Sequence, residues 1–327
     1  MTPNVLRGLA AAAFCAFGVT AAVAGPVIDR IRSENVIRCG GVPRPGLVGV
    51  APSGRAEGLY LDVCRAIGAT LLGPTGRIEF HSYDSDVAFD TARKGVDDVM
   101  FLTGSEIVDQ GLAGEVVPGP TLLFERDTVM VADDSSIHTL ADLEGQPVCY
   151  LQGDSAERRL SAWLREHKLN VSRLAYQEEV ELYDAFNVQV CKALAGEATT
   201  LASVRLAPAE AEMHTRILDE SLAVFPVLAA TETLDGQFSS LVAWAIATLQ
   251  NDPRNGTGSA ATGAIGFPIE APQLGLAKDW QRRVIGAAGA FSDIYDRNLG
   301  QGSRLKLLPG PNANLGAGGL LAPPYVE

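Results

Sequence analysis

Pro147-Val148-Cys149-Tyr150-Leu151, followed at once by Gln152-Gly153-Asp154-Ser155, is the stretch on which the fold turns. The first five residues make a short apolar strand. Gly153-Asp154-Ser155 then opens a helix that carries Leu160, Trp163 and Leu164 on one face. The same strand–turn–helix order recurs on both sides. Upstream, Val36–Gly40 reads as a strand running into a Gly/Pro loop from Gly41 to Pro52, and Gly58–Cys64 leads into a helix. Ile78–Ser82 alternates as a strand, Asp86–Lys94 is helical up to the stop at Gly95, and Asp98–Leu102 is a buried strand. Thr128–Val131 is a further strand leading into a crossing segment, and Thr139–Leu143 a short helix. Downstream lie elements at Glu179–Ala185, Val188–Ala193, Thr200–Leu206 and Ser221–Leu228. An apolar helix over Phe238–Leu249 and one long helix over Asp279–Leu299 follow. Strand–helix alternation of this kind predicts an α/β fold with parallel sheet, in two lobes.

The chain has 327 residues and a net charge of −13. That length suits two domains, and the acidic balance argues against nucleic acid, whose phosphates need clustered Lys and Arg. Residues 1–24 have the layout of a cleavable signal peptide: Arg7, an uncharged run from Gly8, and Ala22-Val23-Ala24 at the end. Export to the periplasm is the expectation. Removing the signal leaves 25 basic against 39 acidic side chains and takes Cys15 away. Cys39, Cys64, Cys149 and Cys191 remain, an even number that reads as disulfides in an exported protein. Four cysteines allow three pairings; Cys39–Cys64 with Cys149–Cys191 is the expected one, each bridge closing a loop within one lobe.

Enzyme signatures are thin. His81, His138, His167 and His214 are scattered with no obvious partners. No metal-ligand spacing, nucleophile elbow or phosphate loop follows a predicted strand. Acid pairs such as Asp97-Asp98 are expected to point apart into solvent. No catalytic residue, metal or cofactor is therefore expected.

A C-terminal constellation carries a family resemblance: Leu274-Gly275-Leu276, Asp279-Trp280, Arg283, Gly289, Arg297-Asn298, Gly302-Ser303, Asn312-Ala313 and Gly318-Gly319-Leu320 with Ala322-Pro323-Pro324. With Asp62-Val63-Cys64-Arg65-Ala66, Leu143-Glu144-Gly145 and Val148-Cys149, it resembles the periplasmic general L-amino-acid-binding proteins of ABC importers (AapJ-like; solute-binding protein family 3). The four mature cysteines fall where that family places its own. The resemblance implies a type II periplasmic binding protein fold, two α/β lobes joined by two crossover strands with solute in the cleft. Lobe one would be residues 25–130 together with 226–327, and lobe two residues 131–225. A small solute and ABC permease subunits would be its partners, and the protein a monomer.

The resemblance also exposes a departure. Relatives place a T-x-x-R step after the strand matching Asp98–Leu102, and its arginine clamps the ligand carboxylate. Matched without gaps, the threonine is Ile107 and the arginine is Gln110. Relatives hold the same carboxylate on a Gly-Thr-Thr helix start; here the step is Gln152-Gly153-Asp154-Ser155, with Asp154 placed to cap its own helix. Glu197 matches the acid that binds the ammonium. The pocket is thus expected to involve Ser105, Gln110, Gln152, Gly153, Asp154, Ser155 and Glu197. It keeps an acid, lacks the clamp arginine and disfavours a standard amino acid relative to a polar neutral or cationic solute.

Overall fold

The computed structural model describes residues 25–50, 56–73, 75–109, 116–205, 213–251 and 276–322. The expected signal peptide, 1–24, lies outside them.

Eight strands form the spine of the main sheet: β1 (Val36–Gly41), β2 (Arg77–Ser82), β3 (Val99–Thr103), β4 (Thr121–Ala132), β5 (Pro147–Leu151), β6 (Ser172–Tyr176), β7 (Ala193–Glu197) and β8 (Ala223–Glu232). Their spatial order is β2-β1-β3-β8-β4-β7-β5-β6. The pairings β1–β2 and β1–β3 are parallel, as are β5–β6 and β5–β7. Between the two parallel sets run β4 and β8, antiparallel to each other and to their outer neighbours. They are the longest strands, 12 and 10 residues, and both pass from one half of the molecule to the other. Parallel strands need a crossover connection, and helices supply it. Helix α1 (Pro26–Glu34) precedes β1, α2 (Leu59–Leu71) follows it, α3 (Ser85–Arg93) connects β2 to β3, and α8 (Gly236–Gln250) follows β8. In the other half α5 (Ser155–His167) connects β5 to β6, and α6 (Glu179–Asn187) connects β6 to β7.

Apolar burial divides the same way. One core packs Ile37, Val63, Ile67, Val99 and Phe101 against Phe238, Val242, Val284 and Phe291, so the two ends of the chain share it. Val131, Val148, Leu160 and Ala193 form another, with Leu182, Phe186 and Leu194 on the opposite sheet face. Cys39–Cys64 ties β1 to α2 and Cys149–Cys191 ties β5 to the approach of β7, the pairing expected from the sequence. The C-terminal stretch anchors a crossing strand. The Asn312 side chain donates to the Phe124 carbonyl (2.8 Å) and accepts from its N–H (2.7 Å), pinning β4.

Two expectations change. The helix expected over Asp279–Leu299 is two, α9 (Trp280–Ala288) and α10 (Phe291–Asn298). Gly289 between them has φ +84°, a left-handed conformation that ends α9, and the Asp293 carboxylate restarts α10 by accepting from Ala290 N–H (3.1 Å). Asp97 and Asp98 do point apart, yet not into solvent: they are 3% and 7% exposed. Asp97 accepts from the Tyr83 hydroxyl (2.7 Å) and meets His81 Nδ1 (2.7 Å), so that histidine has a partner after all. Asp98 pairs with Arg30 and accepts from Arg38 N–H (2.8 Å). Buried charges persist when so paired, and spacing alone did not reveal those partners.

Candidate functional site

In open α/β sheets ligands bind in the crevice outside the carboxyl ends of the strands. Four such ends meet here. β1 ends at Gly41 and runs into the loop holding Arg44; β3 ends at Thr103 and passes straight into α4 (Gly104–Asp109). β5 leads through Gln152–Asp154 into α5, and β7 ends at Glu197, the N-cap of α7 (Ala198–Val204).

The side chains between these ends form an alternating charge chain. Arg44 donates from Nη2 to Glu106 (3.3 Å) and from Nε to Glu197 (3.3 Å), and its side chain is only 12% exposed. Glu106 is itself fixed, accepting from Thr103 N–H (2.6 Å). The β4–β7 register sets Glu197 opposite Asp127, which puts both acids on one sheet face. Arg159 on α5 then closes on Asp127 (2.7 Å), donates to Ser155 Oγ (3.2 Å) and Ser105 Oγ (3.3 Å), and lies 3.7 Å from the Phe225 ring centroid. Glu125, two residues before Asp127 on β4, accepts from Thr199 Oγ1 (2.7 Å) and Arg126 N–H (2.9 Å).

Burial sets the electrostatics. It raises the acids of Asp127 and Glu197, with Arg159 and Arg44 respectively opposing the rise. Glu125, with Glu197 nearby, is pushed up to about 7. Its folded value lies above the ordinary 4.5, so between the two the folded chain keeps a proton that the unfolded chain releases. The stabilising contribution is complete below about 4.5 and is lost as pH rises through about 7. Urea midpoints are therefore expected to fall from pH 5 to pH 8, and Glu125→Gln to flatten that fall.

At the start of α5 the chain serves its own backbone. Asp154 is the N-cap and accepts from Ser155 N–H, while Glu157 accepts from Gly153 N–H (2.7 Å). Gly153 has φ +82°, the turn that lets both carboxylates fold back. Exposed Gln152 has its N–H on the Tyr176 carbonyl (2.7 Å). Of the positions singled out in the sequence, Ser105, Ser155 and Glu197 join the charge chain, and Asp154 borders it through its charge on Glu197. Gln110 lies outside the described residues. Sequence reasoning missed Arg44, Arg159, Glu106, Glu125 and Asp127. Arg44, flanked by Pro43 and Pro45 just after a predicted strand, was the one with a readable signal. The crevice holds two arginines, Arg44 and Arg159, neither of them at the position matched from the sequence. Among the described residues no acidic, His or Cys group is arranged to hold a metal.

No family model matches the chain. The general L-amino acid-binding periplasmic protein AapJ of Rhizobium johnstonii is 25% identical across 99% of both chains. The glutamate/glutamine/aspartate/asparagine-binding protein BztA of Rhodobacter capsulatus is 23% identical over 94% of this chain and 95% of its own. Among solved structures, an ABC transporter periplasmic binding protein from Brucella ovis with glutathione bound superposes with a TM-score of 0.72 at 22% identity, over 92% of this chain and 99% of that one. The cysteine-binding protein of Campylobacter jejuni gives 0.52 at 17% identity, over 85% and 94%. The fold is that of the type II periplasmic binding proteins. Across nearly its whole length the chain is similar, at 23–25% identity, to amino-acid-binding proteins of the ABC-transporter type. AapJ and the Brucella ovis protein are periplasmic, and among the described residues no helix of this chain is long and apolar enough to cross a membrane.

Proposed function

We propose that the protein is the periplasmic solute-binding subunit of an amino-acid-type ABC importer, with a pocket altered so that standard L-α-amino acids are not its solutes. A small polar or cationic molecule is bound between lobe one (25–130 with 226–327) and lobe two (131–225), which close by bending β4 and β8. The loaded monomer then delivers it to the permease. One observation carries this reading: both handles that the family resemblance assigns to an amino acid are taken by the chain's own charges. Asp154 and Glu157 occupy the N–H groups that would hold a carboxylate, and Arg44 sits on Glu197, the acid that would hold an ammonium. The crevice acids Glu106, Glu125, Asp127, Asp154 and Glu197 outnumber Arg44 and Arg159, which favours a solute rich in donors.

A second reading is a binding-protein fold kept as an accessory or sensor module. It is favoured by Arg44–Glu197 and Arg159–Ser105, which link the two sides of the crevice directly. A thermal-melt screen separates the two. The first reading expects one or more polar or cationic solutes to raise Tm by several degrees, since a ligand at 100 times its Kd stabilises by about 2.7 kcal/mol. Silence across the panel together with a co-purifying protein supports the second.

A further inference from the structure

Among the described residues, two buried donors at the crevice make no hydrogen bond. The Tyr60 hydroxyl is fully buried and unbonded, and so is Nη1 of Arg44. Tyr60 stacks on Phe101 with ring centroids 4.6 Å apart, which fixes its ring. Gly41, at the end of β1, leaves room for that ring; a Cβ there would stand 3.1 Å from it. Tyr60 N–H donates to the Leu47 carbonyl (2.9 Å) and Leu47 N–H to the Arg44 carbonyl (3.0 Å), so Tyr60 packs against the loop that carries Arg44. Arg44 is immobilised on two of its edges by Glu106 and Glu197, leaving Nη1 as its spare donor. Guanidinium has no acceptor atom, so what satisfies Nη1 has to be an oxygen-type acceptor. One acceptor is also spare: Oδ1 of Asp127, whose side chain is fully buried and whose other oxygen is on Arg159.

Resting on the solute-binding reading above, we propose that Arg44 Nη1 and Tyr60 OH form a carboxylate subsite, and that the solute's ammonium lies apart from it, on Asp127. Arg44 thereby replaces a clamp from another position and covers Glu197 against an α-ammonium. Asp127 stands across the β4–β7 pair from Glu197, about 5 Å away at Cβ. Glu197, which accepts from Arg44 Nε at 3.3 Å and faces Asp127 across the sheet, thus stands between the two groups, and a molecule that bridges them carries its amino and carboxylate groups on different carbons, as in an ω-amino acid or a dipeptide. An α-amino acid has them on one carbon and reaches only one end.

The test is isothermal titration of the full mature protein with 4-aminobutyrate, 5-aminovalerate and glycylglycine, each against its carboxamide. Simple amines and sugars complete the panel. At least one carboxylate is expected to bind, with its carboxamide about tenfold weaker because a charged hydrogen bond is lost. Tyr60→Phe keeps the ring and removes the donor; it should weaken the carboxylate by about tenfold and leave the unliganded Tm in place. Arg44→Lys keeps the charge without the fork and should weaken it as much. Equal affinity for carboxylate and carboxamide, or wild-type binding by Tyr60→Phe, overturns the subsite. Binding confined to amines or sugars also overturns it while leaving the solute-binding reading intact; no binding anywhere removes both.

Discussion

Arg44→Ala is expected to destabilise the protein by about 3–5 kcal/mol, the cost of stripping one partner from a buried ion pair. Arg44 holds two carboxylates, Glu106 and Glu197, each with a side chain only 15% exposed. Without the guanidinium both lose their counter-charge in an already acidic crevice, with Glu125 and Asp127 alongside. The Glu197 acid, already raised by burial, loses the guanidinium that opposes the rise, so the deficit should be larger at pH 8 than at pH 5, where protonation relieves the repulsion. Urea denaturation at the two pH values measures this. Adding Glu197→Gln to Arg44→Ala should recover part of the loss, and a double-mutant cycle gives the coupling. A loss below about 1 kcal/mol, typical of an exposed pair, would mean that Arg44 is not buried on these acids.

The disulfides carry an effect of similar size. Cys39–Cys64 spans 25 residues and Cys149–Cys191 spans 42. Loop-closure entropy puts their contributions at about 3.5 and about 4 kcal/mol; the dependence is logarithmic, so the longer loop gains little more. Replacing either pair by alanine should lower the urea midpoint accordingly. Losing both would remove about 7 kcal/mol, comparable with the whole stability of an ordinary domain at 5–15 kcal/mol. Full reduction is therefore expected to leave much of the chain unfolded at 37 °C, in keeping with a protein that folds in an oxidising compartment. Far-UV circular dichroism with and without reductant is the check. Reduced and oxidised melts that coincide would contradict it.

Much of this architecture was legible in the sequence because it is local. Pro147–Leu151 is a strand because five residues ahead of a Gly-Asp-Ser helix start leave the chain little else to be. Leu160 and Leu164 are buried as their spacing on one helix face requires. The cysteine pairing was readable because four thiols allow so few arrangements. What local pattern left out was long-range. Gly289 divides a helix that its apolar pattern would continue, because a glycine's left-handed conformation costs nothing that hydropathy records. Asp97 and Asp98 read as a solvated pair because His81, Tyr83 and Arg30 approach them from other elements.

The crevice shows the same limit more sharply. Following one family's arginine to Gln110 left the pocket's own positive charges, Arg44 and Arg159, unread. Arg44 and Arg159 come from a loop and a helix that no motif links to Glu197 or Asp127. They meet only because four strand ends and two crossing strands bring them there. Asp154 was legible as a helix cap, since capping is set by the neighbouring residues. That Glu157 also folds back onto Gly153 N–H was not.

The most direct measurement is calorimetric titration of L-glutamine and L-glutamate into the mature protein, beside a Gln110→Arg, Asp154→Thr variant. The wild type is predicted to give no binding heat with either at millimolar concentration, and the variant to gain measurable affinity as its carboxylate handles are restored. Tight binding of either amino acid by the wild type would contradict the altered pocket at its root.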